Sequence, residues 1–221
     1  MPRKMKRPRR TRTLPATPRL RFTPTAWAKL RFLRDRGPTE IGGFGLSAVD
    51  DPLLVIDLLV LKQRTTPLTV AFDDGALADL FDRMVDRGFG PERFGRIWIH
   101  THPGDCPRPS SIDDRTFRRA FGGMDWAVMA ILARNDATFA QLAFHVGPGG
   151  AWEIPVGVSY ERPFSASDPT LWEREYREQV QVELIHHAPF SDLEDEGALR
   201  GEERAYSKGT NRYGGFTAES F

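Results

Sequence analysis

A short apolar run that ends in two histidines spaced two apart limits this chain more than any other stretch. Residues 97–119 read IWIHTHPGDCPRPSSIDDRTFRR. Ile97, Trp98 and Ile99 are β-branched or aromatic and are bounded by breakers, so they predict a buried strand. Extended backbone alternates its side chains between two faces, which turns His100 and His102 to the same side. Pro103, Gly104, Pro107 and Pro109 end the strand and make a stiff loop. Ser110 and Ser111 then each stand three positions before an aspartate, Asp113 and Asp114, and the run DDRTFRRAF suits a helix. This capping-box pattern puts Asp113 in the first turn of that helix.

Two histidines on one strand and a carboxylate from the start of the next helix could supply three ligands of a tetrahedral zinc ion. The fourth position stays open for water, which is the catalytic rather than the structural arrangement. A general base is still needed. Glu40, in PTEIGGFGLS, is the best candidate, as an acidic residue followed by two glycines and an apolar, strand-like run.

His100-Thr-His102, seven residues, Ser110, two residues and Asp113, with Glu40-Ile-Gly-Gly upstream, resembles the JAB1/MPN/Mov34 metalloprotease family. The resemblance covers roughly residues 23–158. It implies that His100, His102 and Asp113 bind zinc, that Glu40 activates the zinc-bound water and that Ser110 stabilises the oxyanion. Ser110 also has a structural role available as a helix cap. Isopeptidase or peptidase action on a ubiquitin-like protein, small bacterial sulfur carriers included, is the implied activity. The expected fold is α/β, a single mixed-sheet MPN-like domain flanked by helices over residues 22–160. Residues 1–21 form a basic arm, and 161–221 a C-terminal extension with a helix and a tail.

A chain of 221 residues with 40% apolar and 28% charged content suits one substantial soluble core with appendages. Its one cysteine, Cys106, excludes an intrachain disulfide and points to a reducing, cytoplasmic compartment. Cys106 reads as a bystander thiol in the motif loop, since it lacks a ligand pattern of its own. Nine of the 31 Lys and Arg residues lie in the first 21 positions with no Asp or Glu, leaving 22 basic against 30 acidic residues, a formal charge of −8. A basic arm on an acidic body is expected to be disordered, and could make weak contact with nucleic acid or an acidic protein. The arm lacks an apolar core of the signal-peptide kind. Residues 53–61, interrupted by Asp57, are too short to cross a bilayer, so no transmembrane insertion is expected.

Elsewhere the pattern predicts a helix opened by Thr23 and Pro24, with Trp27, Leu30 and Leu33 or Phe32 on its core face. A strand follows over residues 41–47, then a turn at Asp51 and Pro52, a strand over 53–63 and another over 68–72. Leu77, Leu80, Phe81 and Met84 repeat at helical spacing after Asp73 or Asp74, and read as core. DWAVMAILAR and ATFAQLAFHVG form a strand pair around Asn135 and Asp136, and GGAWEIPVGVSY adds an edge strand because of Pro155. His145 reads as a hydrogen-bonded structural histidine. Leu171, Trp172, Tyr176, Val180 and Leu184 trace a helical face expected to pack on the main core, with His186 and His187 near its end.

Two other functions fit parts of this pattern. A zinc deaminase also pairs metal-activated water with a glutamate, but the Pro-Cys-x-x-Cys ligand pair is missing from the sequence. A noncatalytic scaffold that binds ubiquitin-like proteins or peptides would not need all five candidate residues together.

Overall fold

The protein is described by a computed structural model covering residues 17–184. Its first half runs β1 (Leu20–Phe22), α1 (Pro24–Arg34), β2 (Gly42–Ala48), β3 (Asp51–Leu59), β4 (Gln63–Thr66), β5 (Thr69–Phe72) and α2 (Asp74–Asp86). There follow α3 (Pro91–Phe94), β6 (Ile97–His102), α4 (Ser111–Phe121), β7 (Trp126–Ala133) and β8 (Thr138–Phe144). The chain continues through β9 (Gly150–Glu153), β10 (Val156–Val158), α5 (Pro169–Gln179) and β11 (Val180–Val182).

Eight strands form one mixed sheet in the order β10-β1-β3-β2-β6-β7-β8-β9, and β11-β4-β5 form a second, smaller one. Strand alternation sorts the core into two layers. Ile97, Ile99, Val128, Ala130 and Leu132 face α1, where they meet Ala26, Leu30 and Leu33. Phe44, Trp98, Met129 and Ile131 point the other way and pack with Leu80 and Phe81 of α2, Phe94 of α3, and Phe117 and Phe121 of α4. The helical stripe read from Leu77, Leu80, Phe81 and Met84 is buried as expected.

The large sheet curls until one segment serves both of its edges. β9 pairs with β8, Ile154 N–H donates to Ala140 O, Pro155 O accepts from Leu20 N–H, and β10 runs parallel to β1. Proline has no N–H to give, so Pro155 suits the point where the ladder passes from one edge to the other. The predicted edge strand is therefore two strands, one at each end of the sheet.

Several boundaries differ from the sequence reading. β1 starts at Leu20, inside the stretch assigned to the basic arm, because the alternation Leu20-Arg21-Phe22 buries both apolar residues while Arg21 reaches Asp51. Asp51 and Pro52 open β3 instead of making a turn. The β2–β3 register shifts there, and Pro52 gives its carbonyl to Ser47 Oγ, so the irregularity absorbs the missing N–H. The expected strand over 53–63 is divided, β3 ending at Leu59 and β4 starting at Gln63. α5 stops at Gln179, and Val180 belongs to β11, where alternating Val180-Gln181-Val182 pairs in parallel with β4. His186, His187, the tail beyond them and the first 16 residues lie outside the described residues. Among the described residues no helix is long and apolar enough to cross a membrane.

Leu20 is fully buried, so Leu20→Ala should cost about 2–5 kcal/mol. Urea unfolding followed by circular dichroism checks this, and a loss below about 0.5 kcal/mol would mean that β1 is not part of the cooperative core.

Candidate metal centre

β6 delivers His100 and His102 to the face that α4 covers, and α4 begins with the residue that meets them. Ser110 is its N-cap. The Ser110 hydroxyl oxygen accepts from Asp113 N–H at 3.2 Å, and Ser110 N–H donates to Asp113 Oδ2 at 2.7 Å, which completes the capping box. This reciprocal pair fixes the Asp113 carboxylate while leaving Oδ1 directed at His100, 3.4 Å from Nε2. His102 Nε2 lies 3.8 Å from Asp113 Oδ2.

One donor atom from each of His100, His102 and Asp113 lies within 4.8 Å of the other two. The imidazoles also show unmet demand. Both ring nitrogens of His100 and Nε2 of His102 are buried without a hydrogen-bond partner, although buried polar groups are normally satisfied. His102 Nδ1 sits 2.8 Å from the Cys106 carbonyl oxygen. Donation from Nδ1–H to that carbonyl selects the tautomer whose Nε2 carries a free lone pair, as a metal ligand requires. The donor set therefore fits a metal ion. Cys106 contributes its backbone here, while its exposed side chain is a free thiol.

The electrostatics of the three residues differ. Burial holds His100 below its ordinary pKa, in the neutral form that can ligate. His102 is likewise opposed by burial, but Asp113, the Cys106 carbonyl and Glu40 raise it overall. Burial also works against ionisation of Asp113, yet both histidines and the Ser110 N–H carry it well below the usual carboxylate range.

Glu40 stands beside this group without belonging to it. Its Oε1 is 3.7 Å from His102 Nε2. Burial pushes its carboxyl up to about 8, with His102 pulling it down and Asp113 adding to the rise. The segment that holds it is tied on several sides. Glu40 N–H donates to Thr66 O at 2.9 Å, and Thr101 N–H donates to Ile41 O at 2.9 Å. Ile41 N–H donates to Thr101 Oγ1 at 3.0 Å. Gln63 acts as a substitute strand, its Oε1 accepting from Gly42 N–H at 2.8 Å and its Nε2 donating to Gly42 O at 2.9 Å.

All five residues singled out in the sequence, Glu40, His100, His102, Ser110 and Asp113, thus come together at one end of β6. Sequence reasoning did not find Thr101 or Gln63. Strand periodicity contained a signal for Thr101, since a residue between two same-facing histidines points to the opposite face and can tie a neighbouring strand. Outside this cluster His145 lies just past β8 with Nδ1 2.7 Å from Met124 O, in keeping with a structural role. Compared with protein-family models and with curated proteins, the chain matches none.

Loading with a divalent ion should reach about one per chain. His100→Ala, His102→Ala and Asp113→Ala should each lower occupancy, as read by elemental analysis of the folded proteins. In the metal-free chain the Glu40 carboxyl is neutral below about 8, and a cation arriving beside it favours the carboxylate, so loading at pH 7 should release protons. Titration calorimetry in two buffers of different ionisation enthalpy would show different heats, with a smaller difference for Glu40→Gln. Identical heats in both buffers would contradict the neutral carboxyl.

Proposed function

We propose that this protein is a zinc-dependent hydrolase that cleaves a peptide or isopeptide bond in a ubiquitin-like or sulfur-carrier protein. The observation that carries the reading is a carboxylate beside the ligand group but outside it, Glu40 Oε1 standing 3.7 Å from His102 Nε2. Two imidazole nitrogens and one carboxylate oxygen form a donor set suited to zinc, with one position left for exchange. Bound zinc supplies Lewis acidity, which polarises the scissile carbonyl and makes water acidic enough to attack near neutral pH.

The chain's own groups account for the proton movements. Glu40 Oε1 accepts a proton from the attacking water and returns it to the leaving amine nitrogen as the C–N bond breaks. Burial raises the proton affinity of this carboxylate, which favours taking the proton from water, and a group that titrates near the operating pH can still give it back. Ser110 Oγ receives a hydrogen bond from Asp113 N–H, so its own hydroxyl proton is free to donate to the developing oxyanion. His102 is oriented through Nδ1 by the Cys106 carbonyl, and Asp113 by the capping box. β5 is the outer strand of the small sheet, and the hairpin joining it to β4 holds Glu40 N–H. That edge, unpaired among the described residues, offers backbone groups to an extended substrate tail, so main-chain hydrogen bonding is part of recognition.

Glu40→Gln should keep zinc and fold but slow single-turnover cleavage of a ubiquitin-like fusion by about 10²–10⁴-fold, since an amide cannot take the proton. Ser110→Ala should cost less, because bound zinc would carry part of the oxyanion charge and the loss is split with helix capping. Zinc-replete Glu40→Gln cutting at the wild-type rate would remove Glu40 as the base. A zinc-free folded chain that bound the same partner without cutting it would favour a scaffold.

A further inference from the structure

A second recess lies across the end of β6 from the two histidines. It has a volume of about 440 Å³ and is lined by Arg34, Asp35, Gly37, Pro38, Pro103 and Arg134. Pro103 directly follows His102, and Pro38 precedes Glu40 by two residues. Arg134 follows the last residue of β7, Ala133, which pairs with His102. Its backbone N–H donates to Gly104 O at 2.9 Å, which ties it to the loop that carries the metal motif.

The charges in this recess are unequally used. Arg34 is almost wholly buried, with a side-chain exposure of 5%. Its Nε binds Asp35 Oδ1, its Nη1 binds the Ala133 carbonyl and Asp136 Oδ1, and its Nη2 binds Asp35 Oδ2. A guanidinium has five N–H donors, so one Nη2–H of Arg34 is left over. Arg34 is thus shared between Asp35, the one acidic residue in the lining, and Asp136. Arg134 is exposed, and among the described residues its guanidinium has no ion-pair or hydrogen-bond partner. The result is a concave site lined by one buried, ion-paired arginine and one exposed arginine.

We infer that this recess is a carboxylate-binding subsite, which anchors a negatively charged group of the substrate within a few residues of the bond to be cut. The inference rests on the hydrolase reading for the word substrate, though not for the binding itself. A planar carboxylate matches the forked N–H geometry of Arg134 and can take the spare Arg34 Nη2–H. Pro103 lines the recess and directly follows His102, and consecutive Cα atoms are about 3.8 Å apart, so one substrate chain could reach both sites. The carboxylate belongs either to an Asp or Glu side chain or to a free C-terminus.

The test uses the full-length, zinc-loaded Glu40→Gln protein, so that binding is read without cleavage. Fluorescein-labelled six-residue peptides carry one glutamate moved through each position or the matching glutamine, each with a free or amidated C-terminus, and anisotropy gives affinities. At least one acidic peptide should bind about tenfold more tightly than its neutral partner. Adding Arg134→Ala should abolish that preference, Arg134→Lys should restore part of it, and added salt should weaken it. A preference that follows the glutamate identifies a side chain, and one that follows the free C-terminus identifies a terminal carboxylate. No acid preference, or one unchanged by Arg134→Ala as expected of a carboxylate held at zinc, would overturn the subsite. Failure of the wild-type protein to cleave any ubiquitin-like fusion would count against the hydrolase reading and leave these affinities intact.

Discussion

The antiparallel pairing of β2 with β6 is the contact on which the site depends. Gly42 stands opposite His100, Gly43 opposite Ile99 and Phe44 opposite Trp98. Carrying that register two residues outward sets Glu40 opposite His102 on the same face, since side chains repeat every two residues. A slip of one residue would send Phe44 out of the aromatic layer and turn Glu40 toward α1. The glycines permit the close approach that fixes the register. A Cβ on Gly43 would come within 2.6 Å of Leu59 O, and one on Gly42 within 2.8 Å of Val70 Cγ1. Backbone crowding at Gly43 has no rotamer to relieve it, so only glycine lets β3 and β6 both flank β2 at this point.

A second support reaches the same segment from the C-terminal extension. Thr39 Oγ1 and Thr65 Oγ1 are 2.9 Å apart, and Thr65 Oγ1 also reaches Gln181 O at 3.4 Å. β11 therefore runs along β4, and β4 along the strand entry that bears Glu40. α5 is fastened to α1 by the Phe32–Trp172 ring contact and by ion pairs from Lys29 to Glu175 and Arg36 to Glu173. Lys29 is buried and also donates to Leu58 O at 2.7 Å. Removing Glu175 would leave part of a buried charge uncompensated, which ordinarily destabilises more than an exposed pair ever contributes. The extension is thus part of the scaffold of the site.

What could be read in the chain followed the range of the interactions concerned. His100, His102, Ser110 and Asp113 lie within fourteen residues and depend on strand alternation and a capping box, both of which are local. Glu40 sits 60 residues before His100; an acid ahead of two glycines and a strand-like run marks it as a candidate, and the family resemblance adds its link to the histidine motif. Thr101 and Gln63 owe their roles to partners distant in sequence, and residue type alone distinguishes neither from an ordinary polar side chain. Apolar spacing carries the helical face on through Val180, whereas pairing with β4 makes that residue part of a strand. Short β-branched runs at helix ends are ambiguous for this reason. Leu20 was hidden by basic neighbours, although the residues on either side of Arg21 are both buried.

The centre also has an energetic cost that metal binding can offset. Three imidazole nitrogens are buried without partners, and each such group typically costs about 1–3 kcal/mol. Glu40 is held near neutrality by the same burial that excludes water from the histidines. An apolar core would be more stable, and Trp98, which stacks on His100 at a centroid distance of 4.6 Å, shows that the surrounding layer is well able to form one. The polar cluster persists because β6 runs out of the core at His102, where the exposed loop and the α4 N-terminus meet. A cation there would satisfy nitrogens that the fold leaves unmatched, converting part of the desolvation cost into binding free energy. Stability and metal affinity would then be coupled through the same two imidazoles, and the position of β6 between β2 and β7 limits how far those imidazoles can shift to find other partners.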